Sequence, residues 1–129
     1  MKIFCWLFLL LFTQYTYADT YTEPIPHAAK IVISETHRSA KLHNSKALLK
    51  LMVPNFVWSF GGDANAMQAI DSWLENPILF DELSRITSMD CISLDKYTVE
   101  CPKNADTGYR AGFKKTTQGW RMEYFVEGD

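Results

Sequence analysis

The spacing of apolar side chains changes several times along this chain, and each change marks an element. Ile3 to Phe12 is an unbroken apolar run behind Lys2, and Thr13 to Ala18 turns polar and ends in a small residue. Asp19 to Pro26 is polar, holds two prolines and shows no period, so it reads as an extended leader. From His27 to about Leu42 the pattern suits a helix, with Ala28, Ile31, Val32 and Ala40 on one face. His43-Asn44-Ser45 breaks it, and Asn44 or Ser45 caps a short helix carrying Ala47, Leu48, Leu51 and Met52 that Pro54 ends. Phe56 to Phe60 alternates large and small side chains and reads as a strand, stopped by Gly61-Gly62. With Asp63 as cap, Ala66, Met67, Ile70, Trp73 and Leu74 recur at helical spacing. Asn76-Pro77 starts another helix with Leu79, Leu83 and Ile86 inward.

After Asp90 the period becomes two. Cys91 to Cys101 forms a hairpin centred near Lys96, which sets 94 opposite 98, 93 opposite 99 and Cys91 opposite Cys101. Pro102 to Gly108 is a polar loop. Tyr109 to Phe113 and Trp120 to Val126 are two further strands, joined by a turn over Thr116 to Gly119. That turn pairs Phe113 with Met122, Ala111 with Tyr124 and Tyr109 with Val126, all on one face, leaving Arg110, Lys114, Arg121 and Glu123 on the other. Helices first, one early strand, more helix and then an antiparallel meander define an α+β domain, with N-terminal helices packed on a curved antiparallel sheet.

The first 18 residues have the three parts of a secretory signal peptide, with Thr16-Tyr17-Ala18 before Asp19 as the cleavage site. An apolar run of about ten residues is too short to cross a bilayer as a helix. Cys5 lies too early in it for a lipoprotein cleavage site, so no membrane anchor is expected after cleavage. Processing leaves 19–26 as leader and 27–129 as one α+β domain in the periplasm or outside the cell. Cys5 departs with the signal, and the two remaining thiols are expected to pair in an oxidising compartment; the other reading is two buried free thiols.

Removing residues 1–18 deletes Lys2 and no acid, so 13 bases against 15 acids become 12 against 15. That balance gives no reason to expect nucleic acid or an anionic membrane as partner. Charge is unevenly spread. Residues 27–50 hold Lys30, Arg38, Lys41, Lys46 and Lys50 against Glu35, while residues 63–90 hold Asp63, Asp71, Glu75, Asp81, Glu82 and Asp90 against Arg85. Either these stretches lie side by side and attract modestly, or the first offers a basic face to an acidic partner.

Metal and nucleophile motifs are absent. His27, His37 and His43 are ten and six apart, without the spacing that aims two imidazoles at one ion, and are expected to be solvent-exposed. No nucleophile elbow or phosphate loop occurs, and no cofactor is implied. Asp71 and Glu75 stand one helical turn apart beside the Ile70–Trp73 stripe, and a solvated helix face is the favoured reading for both. Aromatic residues say most. Trp58, Phe60, Tyr109, Phe113, Trp120 and Tyr124 fall on strands, either as core or as the lining of a pocket with tyrosine hydroxyls for polar contacts.

Lys46 to Phe56, then Gly61-Gly62-Asp63 with Ala69-Ile70, and finally Gly119-Trp120-Arg121-Met122 resemble the NTF2-like superfamily, which includes ketosteroid isomerases and polyketide cyclases. The stretches Trp58 to Asp63 and Phe125 to Asp129 are similar to those of small exported bacterial proteins. The resemblance implies a cone-shaped α+β fold, although Phe60 to Asp63 leaves little room for its usual second strand. Enzymes of that superfamily set an acid/base residue and a hydrogen-bond donor in the cone, and no residue here matches those positions by motif. The sequence therefore favours a non-enzymatic exported module that holds a small molecule or peptide against the sheet. One alternative is a cone-type lyase or isomerase using Asp71 with Tyr109 or Tyr124. Another is an envelope protein that binds or inhibits a partner through its basic helix.

Overall fold

The computed structural model describes residues 23–128 apart from 60, 62, 63 and 107. The expected signal peptide (1–18) and most of the expected leader lie outside the described residues, as do Phe60 and Asp63; the residue that caps α3 is Asn65 and not Asp63. Among the described residues the elements are, in order, α1 (His27–Lys41), α2 (Ser45–Lys50), β1 (Met52–Val57), α3 (Ala66–Glu75), α4 (Ile78–Thr87), β2 (Ile92–Ser93), β3 (Thr98–Cys101), β4 (Tyr109–Thr116) and β5 (Gly119–Glu127).

The buried stripe of α1 is turned from the expected face. Ala29, Val32, Ile33, Thr36, Ser39 and Ala40 point inward, while Ala28 and Ile31 face solvent. Thr36 can be buried because its hydroxyl donates to the Val32 carbonyl at 2.8 Å, and Thr87 on α4 does the same to Leu83 at 2.7 Å. A pattern scored by residue type counts such threonines as polar and misplaces the stripe. On α3 the inward residues are Ala66, Ala69, Ile70 and Trp73; Met67 and Leu74 are exposed. Phe80, Leu83 and Ile86 are the deepest apolar residues of α4, with Leu79 only partly buried.

Side-chain caps fix the starts of α2 and α3, while α1 and α4 begin at Pro26 and Pro77 without one. Asn44 accepts from the Ala47 amide at 3.1 Å, as expected, and Asn65 accepts from the Gln68 amide at 3.1 Å to open α3. Pro54 does not end α2; it lies inside β1. The strand order β1-β5-β4-β3-β2 makes β1 an edge strand, where the missing proline N–H is tolerated. β1 runs parallel to β5 and every other pairing is antiparallel, so the sheet is mixed. Ala64 forms a single antiparallel bridge to Val57.

Across the sheet, Val99 lies opposite Phe113, Phe113 opposite Met122, and Met122 beside Met52. These four buried side chains make a row facing the helices. The expected pairing of Phe113 with Met122 is present, but the next pairs are Gly112–Tyr124 and Ala111–Phe125. β5 thus spends one extra residue, Glu123, in a bulge, and a one-residue slip exchanges faces. Phe125 joins the core and Tyr124 turns to the outer face, where the expected pairings of Tyr124 with Ala111 and Val126 with Tyr109 fail for the same reason. Gly112 accommodates the change: a Cβ there would fall inside the Tyr124 ring. Gly112→Ala is therefore expected to cost about 1–3 kcal/mol by overpacking. In urea titrations the cost should nearly vanish in a Tyr124→Ala background, and equal costs in both backgrounds would refute the contact.

On the helical side of the sheet α1 packs on α4, β4 and β5, while α3 packs on β1. Trp73 links the layers, meeting Phe56, Phe80 and Phe125 edge to face at centroid distances of 5.8, 6.0 and 5.4 Å.

Candidate functional site

Of the six aromatic residues singled out in the sequence, Phe60 lies outside the described residues, Trp58 lies beyond the end of β1, and the sheet divides the other four. Phe113 is fully buried and Trp120 nearly so, both as core. Tyr109 stacks on Phe125 at 5.3 Å and remains partly exposed. Burial, followed by the Glu127 and Glu82 carboxylates and a hydrogen bond with Glu127, raises its pKa above the usual tyrosine value. Tyr124 lies on the other face and donates to Glu100 Oε2 at 2.6 Å. Burial first, then that hydrogen bond and the Glu100 charge, hold its proton well above the ordinary range. Tyr124 is thus no part of an inward pocket, a direct consequence of the bulge at Glu123.

Trp58 follows the end of β1 and packs partly against the core. Its indole Nε1 is enclosed and has no hydrogen-bond partner among the described residues. A buried donor without an acceptor is unusual, because forgoing the bond costs more than making it gains. Asp71 and Glu75 are exposed on α3, the solvated face the sequence favoured. Asp71 is exposed and the Tyr124 hydroxyl is taken by Glu100 on the outer face. Sequence reasoning missed the carboxylates that do meet the tyrosines. Glu100 could have been found as the outward neighbour of Cys101 on β3, but its meeting with Tyr124 depends on the bulge.

Of the three histidines expected to be exposed, His27 and His43 are, while His37 is half-buried. His37 Nδ1 donates to the Ser84 carbonyl at 2.7 Å, tying α1 to α4. His43, held at φ 51°, places Nε2 at 2.8 Å from Asp81 Oδ1 and stacks on Phe80 at 5.0 Å. Among the described residues no cluster of His, Cys, Asp and Glu is arranged to hold a metal.

The charge asymmetry is left largely unsatisfied. α1 does lie against α4, yet among the described residues their neighbourhoods are joined by the His43–Asp81 contact, and Arg85 pairs with Glu82 on its own helix. Arg38, Lys46 and Lys50 instead line a groove of about 450 Å³ between α1 and α2. Lys50 also borders a second groove of about 460 Å³, bounded by β1, the Thr116–Gln118 turn and Arg121.

Helices on one side of a curved five-stranded mixed sheet give this chain the NTF2-like α+β cone fold. It is similar to an NTF2-like protein of unknown function from Shewanella oneidensis MR-1, with 10% identity, 79% of this chain and 97% of that chain covered, and a TM-score of 0.50. It is also similar to a candidate ketosteroid isomerase from Shewanella frigidimarina NCIMB 400, with 9% identity, coverage of 77% and 93%, and a TM-score of 0.51. At these identities the likeness concerns fold. No family model and no curated protein matches the sequence.

Proposed function

We propose that residues beyond Ala18 form an exported, non-enzymatic binding module that holds a small apolar ligand or a peptide at the Trp58 end of the sheet. The observation that carries this reading is the enclosed Trp58 Nε1 donor, which has no acceptor among the described residues. A ligand carbonyl or ether oxygen would satisfy it, with the part-exposed Tyr109 as a second aromatic surface on the inner face. Three further features support the reading. Phe113, Met122 and Ala111 fill the middle of the inner face, which leaves ligand binding to the sheet end. Asp71 faces solvent, so a buried general base is not supplied by the residue best placed in sequence. The Cys91–Cys101 disulfide suits an oxidising compartment after loss of residues 1–18.

Native mass spectrometry of protein purified from its own host tests this reading. The expected species lacks residues 1–18, contains an oxidised cysteine pair and carries a bound small molecule or peptide. Trp58→Phe keeps the ring and removes the donor, and should weaken that ligand about 3- to 10-fold, the worth of one neutral hydrogen bond. A retained leader would overturn export. Unchanged affinity in Trp58→Phe would overturn the site.

A further inference from the structure

We infer that the two adjoining grooves around Lys50 dock an acidic, partly apolar peptide segment of a partner protein. This inference rests on residues other than Trp58 and stands independently of the ligand proposed there. The grooves share Lys50 and together gather Arg38, Lys46, Lys50 and Arg121, with Glu35 the acid among their lining residues. The ion pairs of the described residues are His43–Asp81, Arg85–Glu82 and Lys114–Glu123, so the four groove cations are not neutralised within the described chain. Arg121 spends one guanidinium nitrogen on the Trp120 carbonyl at 2.7 Å, which orients the group and leaves its other donors for a ligand.

Position explains why these cations stay free. Asn44 caps α2 and turns it across α1, so Lys46 and Lys50, four residues apart, stand on one side of a single helical turn. The acids of α3 and α4 are carried on other elements: Asp71 and Glu75 project from α3 to solvent, and Asp81 is engaged by His43. Holding several like charges near one another is unfavourable unless an anion joins them.

The shape of the site selects the class of anion. The cations are spread over two open grooves and do not converge on a point, which suits a chain of carboxylates better than a single phosphate. Ala47 and Leu51 border the first groove and Met52, Val53 and Pro54 the second, giving apolar contacts between the charged positions. An extended segment alternating acidic and apolar residues matches both features, because successive side chains of an extended chain point to opposite sides. A long nucleic acid would also meet the acidic α3–α4 side of a protein whose overall charge is negative, and is disfavoured.

The test uses the disulfide-bonded mature protein and a fluorescein-labelled peptide of alternating Glu and Leu, with an alternating Gln and Leu peptide, inorganic polyphosphate and phosphatidylserine vesicles as comparators. The Glu peptide should bind more tightly than the Gln peptide and lose affinity as salt rises. Lys46 and Lys50 are exposed, so Lys46→Glu with Lys50→Glu should preserve the melting curve while weakening the Glu peptide by about tenfold or more. Charge reversal at the exposed Lys96 and Lys103 should leave binding unchanged. Equal binding of both peptides, no effect of the Lys46/Lys50 reversal, or tighter binding of polyphosphate or vesicles than of the Glu peptide would each overturn the inference. Retention of the Trp58-dependent ligand by the Lys46/Lys50 variant would separate this site from the other.

Discussion

Trp73→Ala is expected to destabilise the protein by about 3–5 kcal/mol, the largest loss from any single truncation considered. Trp73 is 2% exposed and its indole meets Phe56 of β1, Phe80 of α4 and Phe125 of β5 edge to face. Removing it opens a cavity where α3, α4 and the sheet meet, and three rings lose a partner at once. Small domains are stable by only about 5–15 kcal/mol, so such a loss consumes a large share. The melting temperature should fall on the order of 15 °C. Trp73→Phe keeps part of the aromatic contact and should fall between wild type and Trp73→Ala. A melting curve for Trp73→Ala within a few degrees of wild type would show that the layers are held together elsewhere.

Opening the Cys91–Cys101 bond is the second large effect. The cysteines are ten residues apart, their Cα atoms are 4.4 Å apart, and the bond closes the β2–β3 hairpin. Constraint of so short a loop in the unfolded chain is worth about 2–3 kcal/mol. Cys101 is fully buried and lies opposite Ala111, so the Cys91→Ala, Cys101→Ala pair is a cleaner probe than serine, which would bury a hydroxyl. β2 is a two-residue edge strand with little else to hold it. Hydrogen exchange in the double variant should therefore rise first at Ile92 and Ser93, and chemical melts should shift by the stated amount. Coincident melts for oxidised and reduced protein would contradict this account.

Much of the fold was legible because its signals are local. Asn44 caps through its own side chain, Asn76-Pro77 separates two helices, and the symmetric spacing about Lys96 pairs the cysteines. Pro54 was misread for a local reason too: proline is a poor helix residue anywhere, but only the edge position of β1 shows why a strand accepts it. The inward face of α1 was displaced because Thr36 satisfies its hydroxyl within the helix and so behaves as core. Candidate-site residues fared unevenly. Tyr109 stays on the inner face, while Tyr124 crosses to the outer one through a bulge whose extra residue, Glu123, carries no distinguishing local signal.

The sequence by itself determined the succession of helices and strands, the cysteine pairing and the uneven placement of charge, since each depends on neighbours within a few turns of chain. The tertiary structure decided the parallel joining of β1 to β5, the turning of Tyr124 onto Glu100, the enclosure of Trp58 Nε1 and the meeting of Lys50 with Arg121. Each of these brings together segments far apart along the chain. Their relation is set by packing and register, where a shift of a single residue reverses the face a side chain presents.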